Sequence, residues 1–129
     1  MNVRYLTAEE IAAIHQRLLE ETGGKSGVLD FGLLFSLAEK SKTSFGGQEL
    51  YQGVFLKAAV LLESLVSFHV FTDCNKRTAF MSAAVFLQLN GWHISIDADD
   101  AFKFMLAVAN KRKKMTDIEK WLKTNGVKV

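Results

Sequence analysis

The 129-residue chain contains no proline and only one cysteine. Without proline, no segment can be a proline-rich linker or a polyproline ligand, and no X-Pro isomerisation can slow folding. The single cysteine, Cys74, excludes an internal disulfide framework and a cysteine-based zinc cluster, and it agrees with a reducing cytosol. Neither sign of charge dominates. Sixteen Lys and Arg against fourteen Asp and Glu leave a formal charge of +2, too little for a strong sequence-independent hold on nucleic acid. No uninterrupted apolar run approaches the ~20 residues of a membrane span. The opening stretch turns acidic at Glu9 and Glu10, where a signal peptide would be apolar. With 49% hydrophobic and 23% charged residues, the composition is that of a globular chain, expected in the cytoplasm.

What is present reads as helix. Thr7 followed by Glu10 is a capping-box pattern, and Ile11, Ile14 and Leu18 recur at helical spacing until Gly23-Gly24. Asp30 can cap a second helix carrying Leu33, Leu34 and Leu37. The stretch from Ser41 to Gly47 reads as an exposed loop or short hairpin. From Leu50 to Phe68 the chain is apolar on nearly all sides, which predicts a central helix. Another helix is expected over Asn75 to Leu89, stopped by Asn90-Gly91. Trp92 to Ile96 suits a short extended piece, Asp97 can cap a helix with Phe102 and Met105 on one face, and Thr116 with Glu119 repeats the capping-box pattern. Seven of the nine glycines lie between Gly23 and Gly53. With no repeat and no break in composition, residues 1–129 are expected to form a single all-α domain.

Most motif fragments have plain explanations. Gly23-Gly24-Lys25-Ser26 mimics the tail of a phosphate-binding loop, but Leu19 stands where the first glycine belongs and a helix precedes it, so it reads as a helix stop. Lys111 to Lys114 reads as a solvated helix end, with contact to an acidic partner or RNA the alternative. His15 and His93 have no second ligand at metal spacing and read as surface or packing residues.

The segment from His69 to Thr78 is different, because it places a histidine, a carboxylate, an amide and two cations between the two most apolar helices. Asn75, Lys76 and Arg77 fall at a helix start, where unpaired amides and the helix dipole favour an anion. Arginine can bind phosphate oxygens through two parallel donors. Asp73 offers the hard oxygen that Mg²⁺ takes when it bridges phosphates, and His69 can accept a proton near neutral pH. Phe71 is expected to point into the core and fix the loop. These residues suggest a nucleotide- or phosphate-handling site without defining the reaction.

His69-Val70-Phe71-Thr72-Asp73-Cys74-Asn75-Lys76-Arg77 also resembles the Fic/Doc signature, H-x-F-x-[D/E]-[G/A]-N-[G/K]-R. The flanking Tyr5-Leu6-Thr7, the stretch Gly23 to Gly32, the stretch Phe45 to Tyr51 and Phe86 to Gly91 resemble the Doc branch. Nothing beyond about Asp97 adds to the likeness. The resemblance implies an all-helical Fic fold that transfers part of ATP, with Mg²⁺, onto a protein hydroxyl. It makes His69 the general base, Asp73 the Mg²⁺ ligand, Asn75, Lys76 and Arg77 the nucleotide-binding cradle, and Phe45, Gly46 and Gly47 part of a substrate flap. Lys76 stands where AMP-transferring members carry glycine, and Phe80 where they carry a second arginine. Both choices lean toward γ-phosphate transfer, as in Doc toxins, with elongation factor Tu the implied target. AMP transfer and a catalytically silent binding module are the alternatives. Cys74 departs from the glycine or alanine of the signature and either fits or narrows the cradle. No inhibitory [S/T]-x-x-x-E-[G/N] segment is present, so a separate antitoxin protein is the implied partner.

Overall fold

The computed structural model describes residues 2–129. In chain order its elements are α1 (Ala8–Thr22), α2 (Phe31–Lys40), β1 (Ser44–Phe45), β2 (Gln48–Glu49), α3 (Val54–Phe68), α4 (Asn75–Leu89), β3 (Trp92–Ile94), α5 (Ala98–Ala109), α6 (Met115–Thr124) and β4 (Gly126–Lys128). The strands form only two small antiparallel ribbons, β1 with β2 and β3 with β4. The architecture is all-α, as expected.

Local capping chemistry explains where several helices begin. Thr7 Oγ1 accepts from the Glu10 amide at 3.1 Å, and Glu10 Oε1 accepts from the Thr7 amide at 2.9 Å. Arg4 adds an ion pair to Glu10 at 2.6 Å. Asp30 Oδ1 accepts from the Leu33 amide at 2.9 Å and opens α2. Asp97 Oδ2 accepts from the Asp99 amide at 3.2 Å and opens α5.

Two boundaries depart from expectation. Residues 50–53 are not helical; α3 begins at Val54, after Gly53 at φ 87°, because the turn leaving the β1–β2 hairpin occupies the preceding residues. Likewise α6 is opened from Lys114, two residues before the expected cap Thr116, because Asp117 Oδ2 accepts from the Lys114 amide at 2.8 Å. The Lys111 to Lys114 run is also less free than a solvated end. Lys111 Nζ donates to Ser67 Oγ at 3.1 Å, and Lys113 lies over the Phe104 ring.

Helix α3 lies at the centre, buried from Ala58 to Leu62 and again from Ser64 to Val66. It packs on α4, α6, α2 and α5, while α1 closes against α4. One continuous core results, with Ile11, Leu34, Leu62, Leu65, Phe86, Ile118 and Leu122 all essentially inaccessible. Lys57 is buried in this apolar helix at 1% exposure. Its ammonium donates to Tyr51 O and lies 3.4 Å from Glu49, tying the base of the hairpin to the core. A two-stranded ribbon this short needs such a tie, since a lone hairpin is marginally stable.

Candidate active site

The six residues from His69 to Cys74 carry the chain from the end of α3 into α4. His69 and Cys74 both adopt left-handed backbone, at φ 47° and φ 66°. For residues with a Cβ this conformation costs roughly 1–2 kcal/mol each, and it persists where the surroundings over-determine it.

Three sets of contacts fix the loop between these two residues. Phe71 is 1% exposed and stacks on His15, with ring centroids 3.9 Å apart. Asn75 brackets the same residue: its Nδ2 donates to Phe71 O at 2.9 Å and its Oδ1 accepts from the Phe71 amide at 3.1 Å. The segment Gly27–Leu29 then pairs with the loop, the Leu29 amide donating to Val70 O at 2.8 Å and the Thr72 amide to Gly27 O at 3.0 Å. Gly27, at φ 135°, permits this approach, because a Cβ there would lie 2.8 Å from Thr72 Oγ1.

Asp73 Oδ1 accepts from the Cys74 amide at 2.8 Å, and Oδ2 accepts from the Lys25 amide at 3.2 Å. These two hydrogen bonds, aided by the charges of Arg77 and Lys25, hold its carboxyl below the ordinary value of 3.8. Asp73 is therefore an anion at neutral pH, and each oxygen keeps a further lone pair for a cation. Among the described residues no cluster of three or more His, Cys, Asp or Glu side chains could cage a metal. A lone carboxylate suits Mg²⁺ when phosphates supply further oxygens, so the donor set fits a metal–nucleotide complex.

The first intrahelical amide of α4 is that of Thr78, bonded to Cys74 O at 3.0 Å. The amides of Asn75, Lys76 and Arg77 therefore form the open first turn. Lys76 and Arg77 are exposed, and the Arg77 guanidinium donates to Thr22 Oγ1 at the end of α1. Because the Asn75 side chain is engaged by Phe71, its route to an anion in this conformation is its backbone amide.

His69, Asp73, Asn75, Lys76 and Arg77 all line one cleft of about 710 Å³. The rest of its lining is mainly apolar and includes Leu18, Phe80, Met81, Phe102 and Met105. Phe80 is tilted against Trp121, with centroids 6.0 Å apart. The predicted flap residues Phe45, Gly46 and Gly47 form the hairpin tip and are not among the lining residues. Phe45 is 85% exposed.

Two contributors escape sequence reasoning. The Lys25 amide lies 48 positions from Asp73, and no local pattern announces it. His15 does leave a trace: it interrupts the buried stripe Ile11–His15–Leu19, where α1 otherwise presents apolar residues.

A family model described as Fic/DOC family matches residues 5–87, from the approach to α1 through most of α4. The chain belongs to the Fic/DOC family. Toxin Doc of Mycolicibacterium smegmatis is 39% identical over 77 residues, covering 60% of this chain and 59% of that protein. Protein kinase doc of Escherichia phage P1 is 32% identical over 89 residues, covering 69% of this chain and 70% of that protein. The chain thus matches less than two thirds of the first relative's length. The Fic/DOC match includes every polar member of the cleft and stops before α5, which supplies Phe102 and Met105 to the apolar lining.

Proposed function

We propose that the protein is a Doc-like toxin that transfers the γ-phosphate of ATP to a hydroxyl of a target protein and so blocks translation. The observation that carries this reading is the single cleft joining His69, Asp73 and the open first turn of α4. The relatives named as a toxin and as a protein kinase support it.

Asp73 would hold Mg²⁺, and the amides of α4 with Lys76 and Arg77 would hold the phosphates. Bound Mg²⁺ and ATP supply the transferable phosphoryl group and neutralise charge as it moves. His69 accepts the proton of the attacking hydroxyl as the new O–P bond forms and the bond to the ADP leaving group breaks. Phosphoryl transfer has a loose transition state, so positioning and charge neutralisation weigh at least as heavily as the base. Lys76 puts a cation where AMP-transferring members have glycine, and Phe80 contributes a ring to the apolar lining in place of an arginine. Both favour γ-phosphate over AMP transfer. A threonine of elongation factor Tu is the leading target, the hairpin around Phe45 is assigned to aligning it, and a separate antitoxin is the expected restraint in a bacterial cytosol.

Expression in a bacterium without the antitoxin tests the physiological claim. Amino-acid incorporation should fall before RNA synthesis does, and Asp73→Ala should abolish the effect. Unchanged incorporation by well-expressed wild-type protein would overturn it.

A further inference from the structure

The peptide unit joining Asp73 to Cys74 is held at both ends. Its N–H donates to Asp73 Oδ1 at 2.8 Å, and its carbonyl oxygen lies 2.9 Å from His15 Nε2. A carbonyl can only accept, so this histidine nitrogen carries the proton. His15 is 3% exposed and stacked on Phe71, which leaves its ring little freedom to swing away.

This peptide unit also sets the sign of φ at residue 74. Turning it over would carry Cys74 from φ 66° to negative φ, which any residue with a Cβ prefers. The same turn would remove the Cys74 amide from the Asp73 carboxylate. Glycine at this position would feel no such preference. The cysteine therefore creates a tendency to flip that something else must oppose.

We propose that His15 is a positioning residue: by donating to Asp73 O it locks the Asp73–Cys74 peptide in the orientation the cleft requires. The lock matters in this chain because residue 74 is cysteine. Only the ATP readout below rests on the function proposed above.

The test compares wild type, His15→Phe, His15→Gln, Cys74→Gly and the His15→Phe/Cys74→Gly double variant. Phenylalanine keeps the stack and loses the donor; glutamine restores a donor at similar reach. A strong intraresidue amide–Hα NOE reports positive φ at Cys74. It should be strong in wild type and His15→Gln and weak in His15→Phe. By calorimetry with Mg²⁺–ATP, His15→Phe should bind about five- to thirtyfold more weakly than wild type, the factor set by the left-handed penalty. In the Cys74→Gly background most of that loss should vanish.

A strong NOE in His15→Phe, or an equal loss of affinity in both backgrounds, overturns the lock. If wild type binds no Mg²⁺–ATP, the nucleotide reading fails while the NOE comparison still decides the lock. If His15→Phe does not fold, the lock predicts that adding Cys74→Gly restores folding, and an equally unfolded double variant overturns it.

Discussion

At the scale of single residues, the cleft divides its work among groups that act differently. In the proposed reaction His69 would accept a proton, Asp73 would hold a cation, and Arg77 would bind an anion. Removing a general base costs about 10²–10⁴-fold, and removing one aligned charge donor costs a similar amount. Purified Asp73→Ala and Arg77→Ala should therefore each lose about a hundredfold or more of phosphoryl transfer, comparable to His69→Ala. Near-wild-type turnover in either would contradict the assigned roles. Asn75 works on the loop through two hydrogen bonds to Phe71. At about 0.5–1.5 kcal/mol each, Asn75→Ala should lower stability by about 1–3 kcal/mol in denaturant unfolding. An unchanged midpoint would show that the bracket contributes nothing.

At the scale of elements, the helix starts and the α3–α4 packing make separate predictions. The hydrogen bond from Arg4 above all, and that from the Thr7 amide, lower the Glu10 carboxyl from its ordinary 4.5 to about 2. A depressed folded-state pKa means that folding favours the ionised form. The stability Glu10 lends α1 should be complete above pH 4.5 and disappear as pH falls toward about 2. Unfolding curves of wild type and Glu10→Gln should therefore converge across that acid window. Curves that stay equally separated would rule the linkage out. Between α3 and α4, the hydroxyls of Ser64 and Ser82 are buried with no hydrogen-bond partner among the described residues. Since a buried unsatisfied hydroxyl carries a desolvation cost, Ser64→Ala and Ser82→Ala should each raise stability by about 1 kcal/mol. A loss in both would mean that these hydroxyls are satisfied in solution.

At the scale of the whole molecule, legibility in the sequence followed sequence distance. Helix α4 matched its expected span because composition and the Asn90-Gly91 stop are local signals. The α3 start differed because residues 50–53 form the turn leaving the hairpin, where Tyr51 O is held by the buried Lys57 ammonium. The polar half of the cleft was readable because His69 to Arg77 are contiguous. Most of its apolar half was not, since Leu18, Phe102 and Met105 join it only by folding. The same holds for His15, which reaches Asp73 from 58 positions away. No described helix is long and apolar enough to cross a membrane. The most direct measurement is label transfer in a bacterial cytosolic extract with Mg²⁺, using ATP labelled in parallel at the γ- or the α-phosphate. Label should enter protein from the γ-position alone and require Asp73 and Arg77. Label entering from the α-position, or from neither, would contradict the account.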